Sequence, residues 1–132
     1  MKKIIASIIA GSALATSLFL TTPATAHNSC GAGSAPPMHG QGVVTFAGAY
    51  NCSPTVHDVV TVVLQAKRRQ VGGSWVQVGQ ASQSLPNTTT ATKQFSPVSW
   101  DCRKDYMSVA IGSASPGSHS GVGSSPILFH TC

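Results

Sequence analysis

Val60, Val62, Leu64 and Ala66 occupy alternate positions in the longest apolar run that follows residue 26. Period-two alternation marks a strand with one face turned to a core. Gly72-Gly73 ends the run and a short second alternation carries Val76 and Val78, so residues 57–82 predict a β-hairpin. A two-residue Gly-Gly loop would set Val76 and Val78 opposite Arg69 and Lys67. A three-residue loop, residues 71–73, pairs Gln70 with Ser74 and separates the faces: Val60, Val62, Leu64, Ala66, Val76 and Val78 on one, Gln65, Lys67, Arg69, Trp75 and Gln77 on the other. Trp75 is therefore expected to be partly exposed and to lie against Arg69 or Lys67. Val59, Thr61 and Val63 add apolar or β-branched residues to the second face, which predicts cover on both sides, as in a central sandwich strand.

The same pattern, followed along the chain, predicts further short strands. Residues 42–50 alternate through Val44 and Phe46 before a Ser53-Pro54 turn, and Leu85-Pro86-Asn87 turns the chain into a threonine-rich edge strand over 88–95. Ser96-Pro97 should interrupt pairing, with Val98 and Trp100 leading into the charged turn 101–105. Residues 106–114 alternate well, with Met107, Val109 and Ile111 on one side and Tyr106, Ser108, Ala110 and Gly112 on the other. Residues 27–41 and 113–125, rich in Gly, Ser and Pro, read as irregular segment and flexible loop. Residues 126–132 read as a last strand. No helical periodicity follows residue 26. The expected fold is all-β: a single immunoglobulin-like, two-sheet antiparallel β-sandwich of six or seven strands.

The first 26 residues change the picture of location. Met1-Lys2-Lys3, an uncharged apolar segment from Ile4 to Leu20, and a small-residue site ending at Ala26 predict a secretory signal peptide over 1–26 and a secreted domain over 27–132. The apolar segment is short and diluted by Ser, Thr and Gly, which argues against a membrane span. Export makes the 4 cysteines a disulfide framework. Cys30 and Cys52 bracket a Pro36-Pro37 turn, and Cys102 and Cys132 lie just outside two predicted strands, which favours those local pairs. A Cys52 to Cys102 bridge between sheets is the competing arrangement.

Beyond residue 26 the charges are few: Lys67, Arg68, Arg69, Lys93, Arg103 and Lys104 against Asp58, Asp101 and Asp105. Read along the chain they are scattered, without the dense basic stripe that nucleic-acid binding requires. Leu64-Gln65, Gly72-Gly73, Trp75-x-x-Val78, Cys102, Tyr106 and Cys132 together resemble small secreted β-sandwich proteins of Gram-positive bacteria whose function is unassigned. That resemblance implies fold and export, not chemistry.

No catalytic signature stands out. Gly117 to Gly121 has His119, not serine, at its centre, no histidine pair has zinc-ligand spacing, and paired carboxylates would have to come from three aspartates. Trp75 with Lys67 and Arg69 offers instead a polar platform that can stack on sugar rings or a protein, and His119 marks a second candidate contact. The expected function is a non-enzymatic binding protein, without cofactor, whose partner is an extracellular protein or polysaccharide. The alternative is copper binding: cleavage after Ala26 would expose His27, whose amine and ring chelate one ion while a second histidine such as His39 completes the site. Secreted polysaccharide monooxygenases and some periplasmic copper carriers are similar in combining an N-terminal histidine with an immunoglobulin-like core.

Overall fold

The computed structural model describes residues 28–117 and 119–132, so the signal-peptide segment and His27 lie outside the described residues. Seven strands follow in order: β1 (Ser29–Gly40), β2 (Val43–Ser53), β3 (His57–Gln70), β4 (Val76–Thr88), β5 (Thr90–Ser99), β6 (Lys104–Ser115) and β7 (His119–Ser124). They form two antiparallel sheets, β1-β2-β5 and β4-β3-β6-β7. This is the immunoglobulin-type order with the fourth strand carried beside the third. Among the described residues no helix is long and apolar enough to cross a membrane.

The hairpin register follows the three-residue loop near the turn and then departs from it. Lys67 pairs with Gln77 and Arg68 with Val76, as the alternation predicts, but a bulge between Ala66 and Lys67 leaves Ala66 opposite Gly79. Val78 consequently packs against the core while Val76 is exposed. The extra residue of a bulge re-aims the side chains around it.

The core lies between the two sheets, with β6 supplying mostly small residues to it. Val44, Phe46 and Tyr50 of β2 face Val60, Val62, Leu64 and Ala66 of β3, and Tyr106, Ala110 and Ala114 of β6 complete the cluster. The buried face of β6 is its small-residue face, Ser108, Ala110, Gly112 and Ala114 among it, while Met107, Val109 and Ile111 point outward and are half-buried. Val63 and Ile111 pair on that outer face, and Val59 beyond them is exposed; among the described residues no second layer covers them. The expected cover on both sides is therefore corrected: β3 is central within its sheet, but only one side of the sheet is packed.

Two segments that composition marks as irregular are strands. β1 pairs along β2 from Ser29 to Gly40, with a register shift between Ala35 and Met38 where Pro36 and Pro37 cannot donate to the ladder. β1 is an edge strand, where proline is tolerated. Residues 113–125 are likewise not a flexible loop, since β6 runs on to Ser115 and β7 pairs back against it. The small residues answer a steric need: a Cβ at Gly123 would stand 2.2 Å from the carbonyl oxygen of Ala32. The edges of the two sheets close only because both strands are nearly bare.

Other boundaries also move. β4 continues through Leu85-Pro86-Asn87 to Thr88, and β5 passes Ser96-Pro97 with a one-residue shift instead of stopping. β5 is an edge, as its threonines suggested. Residues 126–132 are not a strand; Leu128 makes one isolated bridge to Tyr106. Both disulfides are the local pairs, Cys30–Cys52 directly across the β1-β2 ladder and Cys102–Cys132. In place of an inter-sheet bridge, β2 and β6 meet through aromatic contacts, Phe46 against Tyr106 and Tyr50 over Gly112. The Tyr106 hydroxyl accepts from the Asp101 amide at 3.0 Å and donates to the Ser99 carbonyl at 3.4 Å. A tyrosine near the start of the sixth strand that bonds the backbone just upstream is a tyrosine corner.

Candidate functional site

Arg69 ends the outward row of β3, directly opposite Asp105 in the β3-β6 ladder. Its Nε donates to Asp105 Oδ2 at 3.0 Å, and its guanidinium carbon lies 4.4 Å from the centre of the Trp75 ring. The expected contact between Trp75 and Arg69 is thus present, with Trp75 half-exposed. Cation-π attraction and an ion pair hold one guanidinium from two directions. Its terminal nitrogens make no hydrogen bond among the described residues and remain available. Lys67 lies on the same outward row, opposite Gln77 and Met107.

The anchor of this arrangement is Asp105, a residue that the sequence placed in a solvated turn. Its side chain is buried, and Oδ1 accepts from both the backbone N–H and the ring Nδ1 of His130, at 2.8 and 2.9 Å. The C-terminal segment is brought there by the Cys102–Cys132 bridge and by the Thr131 amide donating to the Cys102 carbonyl. Burial opposes ionisation of Asp105, but the bonds from His130 and Arg69 outweigh it and hold the pKa below the ordinary aspartate value. A depressed folded pKa gives stability that is present above the unfolded value, near 3.8, and is lost as pH falls through the folded value. Asp105→Asn should accordingly cost about 2 kcal/mol at pH 7, by removing charge-assisted bonds from a buried site. In urea titrations between pH 2 and 7 the variant should also lack part of the wild-type acid limb below pH about 4. An unchanged acid limb would remove Asp105 from this role.

The charges that look scattered along the sequence are gathered by the fold. The β3-β6 register sets Arg68 beside Tyr106 and Gln70 beside Lys104, so Lys67, Arg68, Arg69, Arg103 and Lys104 converge on one end of the sandwich. Arg103 is held by Asp101 through paired 3.0 and 3.1 Å bonds, which lower the Asp101 pKa to about 2. Lys67, Arg68 and Lys104 have no carboxylate partner among the described residues. Two open grooves adjoin here and share Arg68: one of about 380 Å³ lined by Arg68, Arg69, Ser74 and Lys104 among others, the other of about 510 Å³ lined by Arg68, Ser99, Trp100, Asp101, Cys102 and Arg103. Trp100 packs against the core, with its ring 5.6 Å from that of Tyr106, and His39 stacks on it at 4.0 Å.

His119 stands at the opposite end. His119 starts β7, half-buried instead of solvated, with its ring 5.4 Å from that of His57. His57 is buried and its Nε2 bonds the Cys52 carbonyl at 3.1 Å. The imidazole of His119 and the sulfurs of Cys30 and Cys52 lie within 4.8 Å of one another, but both sulfurs are joined in the disulfide. Asn28, the first described residue, accepts from the Thr55 amide at this same end. His39 is near the far end of β1, roughly 30 Å away at about 3.3 Å per strand residue. The fold thus puts Trp75, Arg69 and Lys67 together, sets His119 apart from them, and separates His39 from the start of the domain.

Sequence reasoning missed Asp105, His130, Arg68 and Lys104. Only the Lys67-Arg68-Arg69 run and the 101–105 charges signalled them, and neither shows that the two segments are ladder neighbours. No protein-family model matches the chain, and no curated protein matches it.

Proposed function

We propose that this is a secreted, non-enzymatic binding protein that acts at the cell surface or in the medium, with the Trp75 face as its contact. The observation that carries this reading is the Trp75-Arg69-Asp105-His130 chain, in which a half-exposed indole and a guanidinium with free terminal nitrogens are fixed by a buried carboxylate. Rigid aromatic and arginine side chains held in place before contact are the residues that dominate recognition surfaces. The carboxylates that could serve acid-base chemistry at this end are both engaged by cations, Asp101 by Arg103 and Asp105 by Arg69. Two disulfides suit an oxidising, extracytoplasmic setting.

Cosedimentation of the mature protein with insoluble cell-wall polysaccharide tests the reading. Wild type should pellet and Trp75→Ala should bind roughly 30-fold more weakly, the scale of a lost hot-spot side chain, with an unchanged thermal midpoint. Equal binding by the variant moves the contact elsewhere, and failure of the intact protein removes the polysaccharide form of the reading.

The copper alternative is favoured by one observation: Asn28 lies at the end where His57 and His119 meet. On that reading His57 or His119 supplies the second ring for His27, and His27→Ala abolishes copper binding while Trp75→Ala leaves it intact.

A further inference from the structure

Arg68 and Lys104 are both half-buried, both line the groove beside Trp75, and neither side chain is salt-bridged or hydrogen-bonded among the described residues, although Lys104 feels the nearby charge of Asp101. Their donors are therefore free to meet an anionic ligand. Arg68 is also the wall shared with the second groove, where Trp100 and Arg103 stand. Its neighbours across the ladders, Val76 and Tyr106, offer it no acceptor, since the Tyr106 hydroxyl is committed to Asp101 and Ser99. Five cations against two carboxylates leave this end with a positive excess, and each of the two carboxylates is already bonded to an arginine.

We infer that the two grooves meeting at Arg68 form one extended site for an anionic polysaccharide, a linear glycan whose sugars carry carboxylate or phosphate. The inference rests on the binding reading above and names its ligand class. Both grooves share Arg68, so one chain that crosses this end of the sandwich can meet both. Their lining combines cations and polar groups with apolar surface from Val76 and Trp100, and its one carboxylate, Asp101, is already bonded to Arg103. Sugar rings present hydroxyls to the polar groups and C–H faces to the apolar surface of Val76 and Trp100, while Arg68 and Lys104 take the charges; a guanidinium matches carboxylate and phosphate alike in two parallel bonds.

The test is a calorimetric titration of the mature protein with a galacturonate oligomer, its fully methyl-esterified form, a phosphate-bearing mannan fragment and polyglutamate. The acidic oligomer or the phosphomannan should bind, more weakly as salt is raised, and which of them binds identifies the anion. Arg68→Gln and Lys104→Gln should each weaken that binding roughly tenfold or more without moving the thermal midpoint. Equal affinity for the neutral ester overturns the inference and leaves a neutral-glycan reading of Trp75. Equal or tighter binding of polyglutamate overturns it in favour of an acidic protein partner. No binding by any probe, from protein that still pellets with wall polysaccharide, overturns the inference alone; failure of both experiments ends the polysaccharide reading as well.

Discussion

An alanine at Gly112 is expected to destabilise the domain by about 3 kcal/mol or more, at the upper end of what overpacking costs. The added Cβ would lie 2.0 Å from Cγ and 2.1 Å from Cδ1 of Tyr50. Relief would require the ring to move, and Tyr50 is fully buried in the core between the sheets. Urea denaturation measures the loss; a midpoint within error of wild type would mean that β2 and β6 are not packed as described. A serine at Gly121, with an ordinary van der Waals distance to fill, is the control that should fold.

The second large effect is expected from removing the C-terminal bridge. Cys102 and Cys132 are 30 residues apart, and opening a loop of that size costs about 4 kcal/mol in the chain-entropy view. The Cys102→Ser, Cys132→Ser double variant should therefore lose most of its stability margin, since small domains hold only about 5–15 kcal/mol in all. A specific consequence follows at the other end of the hydrogen-bond chain. Release of residues 126–132 takes away the His130 bonds to Asp105, and the Arg69 guanidinium loses the fixed carboxylate beneath Trp75. In conditions where the variant is still folded, its binding to wall polysaccharide should fall along with its stability. The corresponding Cys30→Ser, Cys52→Ser variant, whose bridge lies at the opposite end, should lose about 3 kcal/mol and keep its binding. Equal binding by both variants would separate the platform from the C-terminal segment.

How far the sequence carries the structure depends on what kind of force sets each part. The β3-β4 hairpin was legible because alternation and a glycine turn act locally, and the contact of Trp75 with Arg69 followed from counting positions. The disulfide pairs followed from strand placement, although Cys132 reaches Cys102 from an extended tail and not from a strand. β1 and β7 were not legible, because their strands are selected for thinness and not for apolarity: close approach of backbones at Ala32 and Gly123 excludes the very residues by which strands are recognised. For β6 the alternation was plain but its apolar row faces outward, since Tyr50 and Phe46 fill the space inside and leave room only for Ser108, Ala110 and Gly112. The candidate site was half legible. Trp75, Arg69 and Lys67 sit within one hairpin, whereas Lys104, Asp105 and His130 join them through pairings between strands far apart in the chain, which no local pattern encodes.

That binding occurs at the Trp75 and Arg68 end of the sandwich is tested most directly by an NMR titration of nitrogen-15-labelled mature protein with the galacturonate oligomer. The predicted result is movement of the Trp75 indole and of the Arg68, Arg69 and Lys104 signals, with His57 and His119 at the far end unmoved. Shifts centred on His57 and His119, or a spectrum that the oligomer leaves unchanged around Trp75, would contradict it.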